Sequence, residues 1–409
     1  MITAIVVVFF VVYLGMILGG LPFLQLDRTG VALLGAIVLI AIEAVTPEQA
    51  VASVHLPTMI LLFSFMVISA QLRLGGFYPW VTLRLAGMPL SPGALLAAVV
   101  AAVATLSAVF SNDIICLSMA PVLADACARR GLNPLPYLLA LACAANVGSA
   151  ATLIGNPQNM LIGSALGLSF AGYAAEAAVP VLLGLVATWA VISLQSRGRW
   201  DVVGDAPNPV ERRDEGPLLL DRWQSAKGLA VATVLLLVFL FTGWPREVAA
   251  LAGAGVLLTS RRMHSRKMLG LVDWELLVLF TGLFVVNDAL RRTGLTAATV
   301  ADLAASGVNL HEPAPLFAAT LVLSNVVSNV PAVMLLLPVA TRDFAGPMLA
   351  LVSTLAGNLL VVGSIANIIV VDAAARRGIR IDWRGHARVG VPVTIATLAI
   401  AAAWLAVRL

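Results

Sequence analysis

Charged side chains in this sequence are gathered into short clusters, and the stretches between them run uncharged for very long distances; residues 131–175 contain none. A water-soluble domain keeps roughly a quarter of its residues charged because its surface must be wetted. Here the charged share is 11% against 60% apolar, with a mean hydropathy of +0.99. Lipid is therefore the solvent for most of the surface, and the backbone must satisfy its own hydrogen bonds as helices. Alternating segments of about ten residues, the mark of a membrane β-barrel, are absent. The N-terminal stretch MITAIVVVFFVVYLG lacks a basic leader and reads as a retained first span. The net charge of +4 sits in loops between apolar runs and builds no basic domain, which excludes nucleic acid as a partner. Cys116, Cys127 and Cys143 read as small hydrophobes in helix packing, and His55, His264, His311 and His386 have no metal-ligand spacing. A phosphate-binding Gly-Lys-Ser/Thr loop is missing, so no ATP drive is expected from within this chain.

The chain also repeats itself. Arg28, Gly35 and Leu39 recur as Arg246, Gly253 and Leu257, each 218 residues later. Leu62-Phe63, Ser111-Asn112 and Pro121 recur 217 residues later as Leu279-Phe280, Ser328-Asn329 and Pro338, and Gly155 and Asn159 recur 208 later as Gly363 and Asn367. An ordered series of this kind, with a polar Ser-Asn pair inside apolar sequence, indicates duplication. The first repeat, 1–194, contains spans near 3–20, 29–46 and 56–72, an interrupted stretch at 93–127, a broken span at 134–168 and a last span at 174–194. The second, 225–409, contains spans near 226–243, 246–260 and 273–290, an interrupted stretch at 313–342, a broken span at 345–377 and a last span at 387–408. Residues 195–224 form a polar, Pro-containing linker, and 73–90 and 291–308 read as interfacial connectors.

Positive charge decides whether each interrupted stretch crosses once or enters and leaves by the same face. With hairpins, 20 Lys/Arg fall on one side and 5 on the other; with single crossings the split is 11 to 14 and the bias vanishes. From Ile114 to Ala124 there are only eleven uncharged residues, far short of the roughly 20 that a span needs. The expected fold is thus an all-α polytopic membrane protein: about ten transmembrane helices plus two re-entrant hairpins, in two inverted-topology repeats. The linker is cytoplasmic, both termini are extracytoplasmic, and the chain belongs in the inner (plasma) membrane.

Non-helical backbone at membrane depth survives only where protein buries it or where it lines a wet cavity. Four such breaks are expected: Ser111-Asn112-Asp113 and Ser328-Asn329-Val330-Pro331 at the hairpin tips, and Gly155-Asn156-Pro157-Gln158-Asn159 and Gly363-Ser364-Ile365-Ala366-Asn367 in the broken spans. Each carries helix-starting chemistry, with Asn or Ser suited to N-cap and Pro157 and Pro331 tolerated in a first turn. Helix N-termini turned toward the midplane suit a small anion, and the Asn, Ser and Thr oxygens beside them suit a cation. The candidate substrate and ion ligands are Ser111, Asn112, Asp113, Asn146, Thr152, Gly155, Asn156, Asn159, Asn325, Ser328, Asn329, Gly363, Ser364 and Asn367. A carboxylate at mid-membrane is costly unless protonated, paired or bound to a cation, so Asp113 reads either as a proton or sodium coupling site or as an N-cap on the returning arm of its hairpin. Asp288 and Asp372 read as partners of Arg291 and of Arg376 and Arg377.

The stretch SNDIICLSMAPVLADACARRGLNPLPYLLALACAANVGSAATLIGNPQNMLIG, with the later LSNVVSNVPAVMLLLP and LAGNLLVVGSIANIIVV, strongly resembles the ion transporter superfamily. That group includes divalent-anion/sodium symporters, citrate-type permeases, arsenite efflux permeases and some sodium/proton antiporters, and the likeness is strongest to anion-permease members with the GNPQN break. The resemblance implies a scaffold of the first three spans of each repeat, a transport domain of hairpins and last two spans, elevator-type movement and a homodimer through the scaffold. The dicarboxylate branch has Ser-Asn-Thr at both hairpin tips; Asp113 and Val330 depart from it and point toward the arsenite-permease and antiporter-like branches, where proton coupling is usual. The expected activity is ion-coupled secondary transport of a small anion or arsenite-like oxyacid, not enzymatic catalysis. A coupling proton or sodium ion replaces any cofactor, and the partners are the bilayer and the small-ion substrate. The alternatives are sodium/proton antiport without an anion substrate and a gated channel.

Overall fold

The computed structural model describes residues 1–21, 24–201 and 220–408, so most of the expected linker, residues 202–219, lies outside the described residues. The chain is mostly helical. Its first half runs α1 (Ile2–Leu18), α2 (Arg28–Ala41), α3 (Pro47–Ser53), α4 (Leu56–Leu74), α5 (Phe77–Ala86), α6 (Pro92–Val109), α7 (Asn112–Arg129), α8 (Pro134–Ser149), α9 (Pro157–Ala165) and α10 (Phe170–Gln195). The second half runs α11 (Arg222–Phe241), α12 (Arg246–Leu258), α13 (Ser265–Leu269), α14 (Trp274–Arg292), α15 (Leu295–Ala305), α16 (Pro313–Val327), α17 (Asn329–Leu336), α18 (Ala345–Ala356), α19 (Ile365–Ala375) and α20 (Trp383–Arg408). Two pieces escape an all-α description. Gly20–Leu21 and Leu26–Asp27 form a two-stranded antiparallel ribbon between α1 and α2, and Leu132 and Asp201 make an isolated bridge.

Local chemistry explains the helix starts. Asp27, Asn133, Ser169, Asp221 and Asp273 each accept a backbone N–H of the first turn, and Thr46 and Gln49 form a reciprocal capping box on α3. Among the described residues, five helices are long and apolar enough to cross a membrane: α4, α6, α10, α11 and α20. The other apolar helices are shorter and hydrophobic on several faces, as expected of a multi-pass membrane protein. Long and short apolar helices alike expose carbon surface on their outer faces, as at Phe10 of α1, Leu182 of α10 and Phe241 of α11.

Two packing groups organise the molecule. In the first, α14 lies along α2 and α12 along α4. Gly282 lets α14 approach the backbone of Ala32 so closely that an added methyl group would overlap it. In the second, α6 packs on α8, α7 on α8 and α19, α16 on α18, and α10 on α20, so elements of both halves interleave. The ends of α6 and α7 are tied together: the Arg130 guanidinium, just past α7, donates to the carbonyls of Ala86, Met88 and Leu90, just before α6. Thr341 and His311 meet in the same way, 3.2 Å apart, across the outer ends of the α16–α17 pair.

Candidate functional site

Helix stops and restarts at the α8–α9 and α18–α19 connections; the first is buried or half-buried throughout, and the second buries Gly357, Asn358, Gly363 and Ser364 while exposing Leu360 and Val362. In the first, residues 150–156, Asn156 accepts the N–H of Asn159 at 2.9 Å, and Pro157 follows at the first helical position. Asn159 Nδ2 then reaches back to the carbonyl of Thr152 at 3.1 Å and to the Tyr173 hydroxyl at 3.3 Å. Thr152 itself donates to the carbonyl of Ala108 in α6. In the second, residues 357–364, Ser364 accepts the N–H of Ala366 at 3.2 Å, and Asn367 Nδ2 donates to the carbonyls of Gly357 and Leu360 at 2.8 and 3.0 Å. Gly155 and Gly363 occupy equal places: a methyl group at Gly155 would overlap the carbonyl of Ser149, and one at Gly363 would sit 3.1 Å from the carbonyl of Gly357.

The two breaks are braced against each other. Asn146, near the end of α8, is fully used: Oδ1 accepts from Asn112 Nδ2 and Ser364 Oγ, both at 2.9 Å, and Nδ2 donates to Asn358 Oδ1 at 2.8 Å and Asn367 Oδ1 at 3.2 Å. Thr354, which follows Asn146 by the same 208 residues, does the reverse. Its hydroxyl accepts from Asn156 Nδ2 at 3.1 Å and Gln158 Nε2 at 3.3 Å, and donates to Asn159 Oδ1 at 3.3 Å. Each half thus holds the restart of the other.

The helix tips meet these breaks. Asn112 N–H donates to the carbonyl of Gly155 at 3.2 Å, and Asn112 is 5% exposed. At the α16–α17 tip, Ser328 has φ of +78° and ψ of 159°, a region that side chains rarely enter, and Asn329 begins α17. A methyl group at Gly363 would lie 3.2 Å from Asn325 Oδ1, and one at Gly357 3.2 Å from Asn329 Nδ2, so both Asn side chains border the second break. The amide oxygens of Asn112, Asn325 and Asn329 are buried and accept no hydrogen bond among the described residues. Unfilled buried acceptors are uncommon, and ordered water, an ion or a hydroxylated solute can fill them; Gln71 Oε1, in α4, is another.

The expectations for individual residues divide. Asn112, Asn146, Gly155, Ser364 and Asn367 belong to one connected set, and Thr152, Asn156 and Asn159 to its counterpart. Capping by side chains occurs at the broken spans but not at the tips, where Ser111 and Ser328 hold N-cap positions with no side-chain bond. Asp113 is not an N-cap: it lies in the first turn of α7, half-buried, and its carboxylate has no hydrogen-bond or ion-pair partner among the described residues. Asp288 pairs with Arg291 and Arg292, and Asp372 with Arg376, whereas Arg377 binds Asp125 of α7 instead. The three cysteines are buried and free, and among the described residues no group of His, Cys, Asp or Glu forms a metal-binding cluster. Sequence reasoning missed Thr354, Gln158 and Asn358 as members of the network, and also His386 of α20, buried with Nε2 3.0 Å from the carbonyl of Asn358. The repeat offset, carried on from Gly155 and Asn159 to Asn146, identifies Thr354, and Gln158 lies within the expected break 155–159; no comparable signal marks Asn358 and His386.

Interrupted helices inside an apolar bundle, each restart held by polar side chains of the other half, suit a membrane transporter. A solved structure titled "Crystal structure of the Alcanivorax borkumensis YdaH transporter reveals an unusual topology" shares the fold at a TM-score of 0.56 and 16% identity, over 99% of this chain and 97% of that one. Residues 5–345 match the family model described as CitMHS, citrate transporter, and the chain belongs to that family. Its relatives include a 46 kDa membrane protein of Mycobacterium leprae, 29% identical over 94% of both chains. Another is the silicon efflux transporter LSI3 of Oryza sativa subsp. japonica, 30% identical over 93% of this chain and 92% of that one. The chain is a transporter, not an enzyme.

Proposed function

We propose that this chain is an ion-coupled secondary transporter that carries a small anion or oxyacid through a mid-membrane site formed by both halves. The observation that carries the reading is the set of three buried, unfilled amide oxygens, on Asn112, Asn325 and Asn329, beside two helix restarts. Backbone N–H groups at the restarts favour an oxyanion or hydroxyl oxygen, and the amide oxygens favour a cation or the hydroxyl hydrogens of the solute. The site segments 93–124 and 313–341 hold no Lys or Arg, and Asp113 is their single charge. A trivalent carboxylate such as citrate would therefore enter without a counter-charge, at high cost in lipid. An uncharged oxyacid of the silicic or arsenous kind, or an anion accompanied by a proton or sodium ion, meets the same groups without that cost. The name of the rice relative is in keeping with such a solute.

In this reading the α6–α7 and α16–α17 pairs are re-entrant hairpins of two inverted repeats. The ties at their outer ends, Arg130 to residues 86–90 and Thr341 to His311, support a return to the face of entry. Although α6 alone is long enough to cross, its far end, at Phe110–Asn112, lies against the first break. The α2–α14 and α4–α12 group is the scaffold and homodimer surface, and the interleaved group moves as an elevator. The linker lies in the cytoplasm and the termini outside the inner membrane.

Asp113 carries the coupling proton or sodium ion. In proteoliposomes with an imposed pH gradient, Asp113→Asn is expected to abolish the pH dependence of arsenite or silicic acid flux. Flux with wild-type pH dependence in that variant would remove the coupling role. Proton flux driven by sodium with none of these solutes present would favour antiport, the second reading that an unpaired Asp113 supports.

A further inference from the structure

One cavity lined by cationic side chains shares no residue with the breaks. It has a volume of about 610 Å³, sits where the start of α11 meets the end of α12, and is lined by Trp223, Gln224, Lys227, Thr259, Ser260, Arg261 and Arg262. Three of its side chains are cationic, none is acidic, and among the described residues none of the three cations makes an ion pair.

Helix capping accounts for Lys227 but not for the two arginines. Cations gather at helix C-termini to satisfy the last carbonyls. At α12, however, the carbonyl of Val256 already accepts from Lys227 Nζ at 2.9 Å and from Thr259 Oγ1 at 2.8 Å, which fills both lone pairs. Arg261 and Arg262 are left exposed without that duty, and Lys227 keeps two further N–H donors. Trp223 is 67% exposed at the mouth of the cavity and one residue inside the start of a membrane-spanning helix, the depth at which indoles meet lipid headgroups. The cavity on the other side of α11 differs: there the Arg84 guanidinium is already stacked on Trp80, 5.9 Å from the ring centroid.

We propose that this cavity binds the phosphate headgroup of an anionic phospholipid, with Lys227, Arg261 and Arg262 around the phosphate and Trp223 against the glycerol and upper acyl region. The assignment concerns a surface of the α11–α12 pair and stands apart from the transport site. Binding is read by native mass spectrometry on purified full-length protein in phosphatidylcholine micelles titrated with dioleoyl phosphatidylglycerol. Wild-type protein is expected to retain phosphatidylglycerol in preference to phosphatidylcholine. Lys227→Gln, Arg261→Gln and Arg262→Gln are each expected to weaken that retention roughly fivefold, and the triple variant to lose the preference. Trp223→Ala is expected to weaken binding of the lipid while leaving the thermal transition in phosphatidylcholine unchanged. Equal retention by wild type and the triple variant overturns the proposal. Displacement of the lipid by millimolar inorganic phosphate also overturns it, because the cavity is then a site for soluble phosphate.

Discussion

Asn146 illustrates how one side chain can bind two halves of a membrane protein. All of its hydrogen-bonding capacity is spent on Asn112, Asn358, Ser364 and Asn367. Removing it strands several polar groups where no water replaces it, at about 1–3 kcal/mol for each group left unmet. Asn146→Ala is therefore expected to lower the thermal transition of the detergent-purified protein by several degrees, and Asn146→Asp, which loses both Nδ2 donations and buries a carboxylate against two amide oxygens, to lower it at least as much. Ser328 presents the opposite case. Its backbone, at φ of +78°, is held in a region natural to glycine at a cost of about 1–3 kcal/mol. Ser328→Gly is expected to raise the transition temperature, and to slow transport if the strain keeps the tip poised. At this scale the sequence was informative where a polar residue recurred at a fixed offset within apolar surroundings, as with Ser111-Asn112 and Ser328-Asn329. It was silent on Asn358 and His386, whose partners depend on how α8, α18 and α20 cross in space. The capping role considered for Asp113 was off by two positions, because α7 begins at Asn112 and leaves Ser111 as its N-cap.

At the scale of elements, helix ends follow caps and breakers that are visible in the chain. α8 begins after Asn133, at the residue where the sequence reading starts its broken span, whereas α10 begins after Ser169, about one turn before the expected start at 174. Short pieces such as α3 and α13 were not legible, since five to seven residues carry no hydrophobic period, and the ribbon at Gly20–Leu21 and Leu26–Asp27 is too brief to show alternation. The hairpin reading has a geometric consequence. Cysteines at Ser91 and Arg129, beside the outer ends of α6 and α7, are expected to react with a membrane-impermeant maleimide from one face of oriented vesicles. Cysteines at Glu312 and Asp343, beside the ends of α16 and α17, are expected to react from the opposite face. The native cysteines are buried and add little background. Labelling of Ser91 and Arg129 positions from opposite faces would make the α6–α7 pair a single crossing.

Across the whole molecule, the two packing groups touch at few polar points. Arg246, at the start of α12, donates to the carbonyl of Gly163 in α9 at 2.8 Å, and the Tyr13 hydroxyl lies 3.4 Å from the carbonyl of Pro331 in α17 while donating to Asn287 at 2.8 Å. A cavity of about 270 Å³ opens beside these contacts, between His55, Asn287 and Met334, and the proposed elevator movement requires these few bonds to break. The central claim is that the Asn residues at the two tips jointly hold what is carried. Its most direct measurement is solute flux into proteoliposomes, with arsenite and silicic acid as probes, by Asn112→Ala and Asn329→Ala beside wild type. The account predicts that each variant keeps its thermal transition within a few degrees of wild type and loses at least about tenfold in initial rate. Full wild-type flux from either variant would contradict it.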